Sequence, residues 1–306
     1  MATPSRPFVA ALALLAVDGL IELGFISSMV AYLHAGAPSR AFTVRAPHDN
    51  PAAAAAAGVV DNTYQLQGKP AQFLLNQGHT SNGAAGTAVV LVAAVGSLLL
   101  VARRYLVADG RRSSLVATTA RVLYTIWVAL QVPALLLTLG ALAYVFAVTR
   151  AHAGQTIDQT VAAGLAPGAA YPLDAWTPQN WFAAVLGQLD LAAPAGIRAD
   201  LARHLRIMRG WQYNLIPLFV VQLAETVLAL MDYGRWRQQQ QQQQQQRQQW
   251  ANGGSGHSAN EAKYSPAGGS PVGTYDHSYN NTYGNTYNDP ATQYAQQQLP
   301  LNSSHV

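Results

Sequence analysis

Cysteine is absent from the 306 residues. That excludes disulfides, thiolate metal sites and cysteine nucleophiles. Charge is scarce as well: 10% of residues are Asp, Glu, Lys or Arg, against roughly 25% in an ordinary soluble domain. No GxSxG, P-loop or strand-to-helix GxGxxG is present, which removes the best-marked hydrolase and nucleotide-binding classes. The histidines outside the C-terminal region (His34, His48, His79, His152 and His204) form no HExxH or other close ligand pair, so no metal site and no cofactor is expected. A site assembled across loops from His79, His152 and His204 is the remaining metal option.

What the chain has is apolar residues, half of the total, at a mean hydropathy of only +0.08. They must therefore be concentrated. A membrane helix needs about 20 mainly apolar residues to cross roughly 30 Å of hydrocarbon. Four stretches qualify: residues 8–33, 83–102, 116–149 and 212–231. The first follows Pro7 and is longer than the core of a cleaved leader, so a retained span is expected. The third contains Pro133, a natural kink point. The expected fold class is all-α: a four-helix transmembrane bundle with two long extracytoplasmic loops and a disordered C-terminal tail. The expected division is a membrane domain over 1–236 and a tail over 237–306.

Arg103, Arg104, Arg111 and Arg112 fill the short turn between the second and third stretches. The bias of basic residues toward the cytosol places that turn, and with it both termini, in the cytoplasm, and a plasma-membrane location is expected. Arg198, Arg203, Arg206 and Arg209 oppose this from the other side, but their loop is about 60 residues long, where the bias weakens. The formal charge of +4 reflects arginines at helix ends, and nucleic-acid binding is not expected.

The first long loop carries a poly-alanine run, Ala52 to Ala57. In the second, Thr177 before Pro178 reads as an N-cap and first-turn pair, which predicts a short helix over residues 178–189. Trp176, Trp181 and Phe182 suit the membrane interface. Residues 197–208 predict a basic amphipathic helix lying along the headgroups, with Leu201, Leu205 and Met208 on its apolar face. The tail opens with the glutamine run 238–246 and continues with Tyr275, Tyr279, Tyr283 and Tyr287 among Gly, Ser and Asn. Such a composition buries too little apolar surface to offset ordering entropy. Its sequons at Asn280 and Asn302 stay unmodified if the tail is cytosolic.

Polar residues inside the spans are the most informative. Asp18 and Glu22 share one face of the first. Gln131 lies near the middle of the third, and Gln222 and Glu225 near the middle of the fourth. A charge at the bilayer centre costs about 2.5–3.5 kcal/mol on insertion scales, so these groups should face the bundle interior. By helical rise, Asp18 lies roughly 16 Å, Glu225 roughly 15 Å and Arg121 roughly 8 Å from the cytosolic ends. An ion pair of Arg121 with Asp18 or Glu225 is thus expected to be within reach. The cluster reads as a proton or cation site or, with more weight, as a polar clasp between helices. The string from Asn76 through Gln77, His79 and Asn82 is a second candidate. It would bind a headgroup, sugar or ion, or, with more weight, form a turn in which Ser81 or Asn82 caps the second span.

The segments Glu22 to His34, Asn76 to Gly86 and Ile207 to Pro217 resemble a group of four-span membrane proteins of filamentous fungi, and the layout is similar in outline to MARVEL-type tetraspans. The resemblance implies topology only. Tetraspanins and claudins depend on cysteines and are excluded. The leading expectation is a non-enzymatic membrane organiser or scaffold whose partners are the lipid bilayer, further copies of itself or other membrane proteins. The alternative is a small proton- or cation-coupled transporter or channel using the intramembrane carboxyls. A lipid-modifying enzyme built on His79 is a third and remoter class.

Overall fold

A computed structural model describes residues 4–36, 40–46, 63–108, 114–166, 168–192 and 195–253. The poly-alanine run, Arg111, Arg112, the tail tyrosines and both sequons lie outside the described residues. Four helices are long and apolar enough to cross a membrane: Arg6–Gly36, Asn76–Arg103, Thr118–Ala151 and Gly196–Trp250. The chain divides after Gln249, and the first unit, Met1–Gln249, holds the bundle.

The first span is α1 (Arg6–Ala31), with Pro7 in its first turn, continued by a π-helical turn at Tyr32–Gly36. The second is α2 (Asn76–Thr87), a π-helical segment (Ala88–Val95) and α3 (Gly96–Ala108). The third is α4 (Ser114–Ala151), unbroken through Pro133. Four spans put both ends of the bundle's chain on one side, the terminal end. The loops between spans one and two and between three and four gather at the other, the loop end.

Burial follows a 3–4 alternation. In α1 the buried positions include Phe8, Leu12, Leu15, Gly19, Glu22, Ile26 and Met29. In α4 they include Tyr124, Trp127, Gln131, Ala134, Thr138, Ala141 and Val145. This period of 3.5 is the seam of a left-handed bundle. Residues off the seam, such as Leu14, Val17 and Leu20, are apolar and exposed, as a lipid-facing surface requires. Small residues let the helices close up. A Cβ on Gly19 would lie 2.6 Å from Val89, and one on Gly96 would lie 2.4 Å from the Trp127 ring. Trp127 in turn donates its Nε1 hydrogen to the Leu91 carbonyl in the π-helical segment (3.0 Å).

The loop end carries a folded cap. Strands β1 (Ala41–Arg45) and β2 (Thr63–Gln67) pair antiparallel, with Phe42 opposite Leu66 and Val44 opposite Tyr64, all four buried on one face. Short strands β3 (Gln72–Phe73) and β4 (Ala175–Trp176) pair parallel. Helix α5 (Gln159–Ala163) is capped by Asp158, whose carboxylate accepts from Thr160 and Val161. Helix α6 (Pro178–Gln188) begins as its sequence implies, with the Thr177 hydroxyl accepting from the Asn180 N–H. Trp176, Trp181 and Phe182 are fully buried, which overturns their expected place at the membrane interface. Their rings form the core of the cap: Trp181 contacts Tyr171 and Trp176, and its Nε1 donates to the Gly68 carbonyl at 2.9 Å.

The last helix, α7 (Ala195–Gly253), runs 59 residues without a break. Residues 197–208 are therefore its first turns rather than a separate helix on the headgroups. Leu201, Leu205 and Met208 are buried. Arg40 bonds Asp200, and His204 stacks on Tyr32 at 3.6 Å. At the other end the helix includes the glutamine run, which composition alone assigns to the disordered tail. Residues 241–249 are exposed.

Burial pushes the Tyr64 phenol up to about 12. A group raised in the folded state stabilises fully below its unfolded value of about 10, and that stability is lost as pH climbs through the folded value. Between about pH 10 and 12 the cap is therefore expected to weaken, and Tyr64→Phe should blunt that loss. Absorbance at 295 nm against unfolding temperature checks this; a Phe variant with the same alkaline profile would contradict it.

Candidate functional site: a polar seam and a cavity at the loop end

The intramembrane polar residues occupy seam positions, where the 3–4 pattern calls for apolar side chains. Glu22, Gln131, Thr138, Gln222, Glu225 and Thr226 are all buried. Three contacts join the polar groups across helices. The Asn214 amide donates to Glu22 Oε2 (3.0 Å), and Asn214 also hydrogen-bonds Asp18. The Thr138 hydroxyl donates to Gln222 Oε1 (2.6 Å). Other atoms are buried without a hydrogen-bond partner among the described residues: Asp18 Oδ2, Glu22 Oε1, Gln131 Oε1, Gln222 Nε2, Thr226 Oγ1 and both oxygens of Glu225. The polar groups thus form two layers, one around Glu22 and Asn214 and one around Gln222 and Glu225. About 12 Å of helix separates Asn214 from Gln222, and Leu215 and Leu218 are buried between them.

Arg121 belongs to neither layer. Its side chain is exposed and bonds no described residue; only its carbonyl accepts, from Thr125. The reason is register. The α4 seam extended toward the terminal end passes through positions 117 and 120, not 121. Tyr124, one turn from Arg121, bonds Asp232, while Glu22 bonds Asn214. Those two levels lie about 27 Å apart along α7. The ion pair of Arg121 with Asp18 or Glu225 does not form.

A different arginine is paired. Arg103 donates to Asp232 Oδ2 at 2.7 Å, with the two side chains 12% and 7% exposed. The Tyr124 hydroxyl donates to the same oxygen at 2.9 Å. The guanidinium also lies 5.2 Å from the Tyr124 ring and 5.4 Å from the Trp236 ring. This clamp ties three spans together at the terminal end. Sequence reading missed it because Arg103 and Asp232 both look like ordinary span-ending charges. It also missed Asn214, which adjoins the seam residue Leu215 and is only partly buried.

At the loop end the expected binding string is helix. Asn76 to Asn82 form the first turns of α2 after Leu75, so no Ser81 or Asn82 cap exists. Ser81 is buried, donates to the Gln77 carbonyl (2.9 Å) and accepts from Trp211 Nε1 (2.9 Å). Gln77 is buried too and donates to Gln179 (3.3 Å). Asn76 is exposed, and its carbonyl accepts from Thr80. His79 and Asn82 line a cavity of about 510 Å³ between α1 and α2. Its α1 wall includes Ser27, Val30 and His34, and Pro178 of α6 also lines it.

No family model, curated protein or solved structure matches this chain. Among the described residues no group of three His, Asp or Glu could hold a metal ion. His152 instead hydrogen-bonds the Val148 carbonyl (2.8 Å) and His204 the Asp200 carbonyl (2.9 Å).

Proposed function

We propose that this chain is a non-enzymatic organiser of the plasma membrane, with both termini in the cytoplasm. The observation that carries the reading is the continuity of α7. One helix is packed into the cap by Leu201, Leu205 and Met208 and held at the terminal end by Asp232. It then continues as a polar, exposed arm over residues 241–249. At about 1.5 Å per residue the helix from Ala195 to Gln249 is about 82 Å long, far more than the roughly 30 Å of hydrocarbon. Such a rod joins a folded outer cap to a protruding inner surface and suits a scaffold. The orientation rests on Arg103 and Arg104 at the short turn. The opposing Arg198, Arg203, Arg206 and Arg209 follow a connection of about 60 residues, where the bias weakens.

Affinity capture from native membranes is the test. The full chain is expected to bring down a defined set of membrane or cytoplasmic partners, and a chain ending at Arg237 to lose most of them while still reaching the membrane. An unchanged partner set would refute the role of the arm.

A second reading is supported by the buried carboxyl oxygens without partners. Desolvated carboxylates are met by a proton or a cation, so a small proton- or cation-coupled carrier would use Asp18, Glu22 and Glu225. In reconstituted vesicles, D18N/E225Q should then abolish pH-dependent flux. For an organiser the same variant keeps its partners, since interhelical polar contacts are worth about 0.6–2 kcal/mol each.

A further inference from the structure

The geometry points to the cavity between α1 and α2 as a binding site for a phospholipid, with the phosphate held by His79 and Asn82. Three observations converge on that chemistry. The first is depth. From Phe8, where the buried seam of α1 begins, to Ser27 is about 29 Å of helix, and to His34 about 39 Å. Ser27 therefore sits at the edge of a hydrocarbon layer roughly 30 Å thick, with Asn82 lining the same cavity, and His34 at headgroup height. The cavity spans the zone a phospholipid fills with its glycerol, phosphate and first acyl carbons.

The second is its donor set. Ser27, His34, Gln77, His79 and Asn82 line it, and no Asp or Glu does. The ring of His34 is oriented by its contact to the Val30 carbonyl (3.0 Å). The side chains of Ser27, His79 and Asn82 make no hydrogen bond to a described residue. Polar side chains at the edge of hydrocarbon are costly unless something bonds them. A phosphate diester offers acceptor oxygens only; Ser27, His79 and Asn82 can each donate to it, and the lining holds no carboxylate to repel it.

The third is shape. Gly78 leaves the α2 wall bare, with a Cβ there meeting only Met29 Cε at 3.7 Å. Ile26, Met29 and Val30 make the α1 side apolar, as an acyl chain requires. Residues of the α1 wall are exposed, Val30 at 40%, so a lipid can enter sideways from the bilayer.

The test uses the full chain in detergent, with unfolding temperature as the readout. Three probes are compared: dihexanoylphosphatidylcholine, inorganic phosphate and dihexanoylglycerol. The phosphatidylcholine is expected to raise the unfolding temperature saturably, and the other two are not. His79→Leu with Asn82→Leu should weaken its binding about tenfold or more, by loss of charge-assisted hydrogen bonds. Ala31→Trp, which fills the cavity from the opposite wall, should abolish it and serves as the independent check should the double variant fold poorly. Equal stabilisation by dihexanoylglycerol would reduce the site to an apolar pocket and overturn the proposal. Equal stabilisation by inorganic phosphate would make it a free-anion site and overturn the lipid assignment. Undiminished binding to Ala31→Trp would place the lipid elsewhere.

Discussion

Arg103→Ala is expected to destabilise the protein by about 3–5 kcal/mol, because it strands the Asp232 carboxylate in a buried position with only the Tyr124 hydroxyl to bond it. Removing both charges should be far milder. An R103M/D232L variant leaves no orphaned ion, and apolar replacement of a buried pair is often neutral. The ordering of the two variants therefore separates a true clamp from a surface ion pair, for which either change would cost at most about 1 kcal/mol. Denaturant unfolding in mixed micelles, read by tryptophan fluorescence, measures both. An Arg103→Ala protein as stable as the parent would mean that the carboxylate finds water there.

Trp181→Ala carries a comparable cost, about 3–5 kcal/mol, placed at the opposite end of the molecule. The indole is fully buried, packs on Tyr171 and Trp176, and donates to the Gly68 carbonyl. Truncation opens a void and leaves that carbonyl without its donor, an added loss of about 1–3 kcal/mol if water cannot reach it. Trp181→Phe should cost less, since an aromatic ring remains. The damage should be local. Limited proteolysis is expected to cut the segments around β2 and α6 first, while the Arg103 clamp stays intact. Protease resistance equal to the parent's would show that the cap does not depend on this ring.

The four spans were legible because bilayer thickness alone sets their length. The start of the second and both ends of the fourth were not. Polar residues from Asn76 to Asn82 look like a loop, yet they are helical, and neighbouring elements bond two of them: Gln77 meets Gln179 of the cap, and Ser81 meets Trp211 of α7. Polarity rules a residue out of lipid, not out of a helix covered by protein. The seam was legible only through its polar members. In a lipid-facing helix both sides are greasy, so Leu12 and Leu14 look alike in sequence although one is buried and the other exposed. Glu22, Gln131 and Gln222 marked the inner face where hydrophobicity could not. Arg121 misled because helical rise gives depth and not azimuth. The cap was the least legible part. Strands as short as Ala41–Arg45 and Thr63–Gln67 depend on each other across a long intervening segment. Trp176 and Trp181 suit a membrane surface and a dry core equally well until Tyr171 and Gly68 are seen to meet them.

The clamp also divides α7 in two. Between Leu201 and Asp232, about 47 Å of helix, one face of α7 is buried turn after turn. Past the clamp, residues 241–249 are all exposed. Backbone amides of that last stretch should therefore exchange with solvent far sooner than those between Leu201 and Asp232.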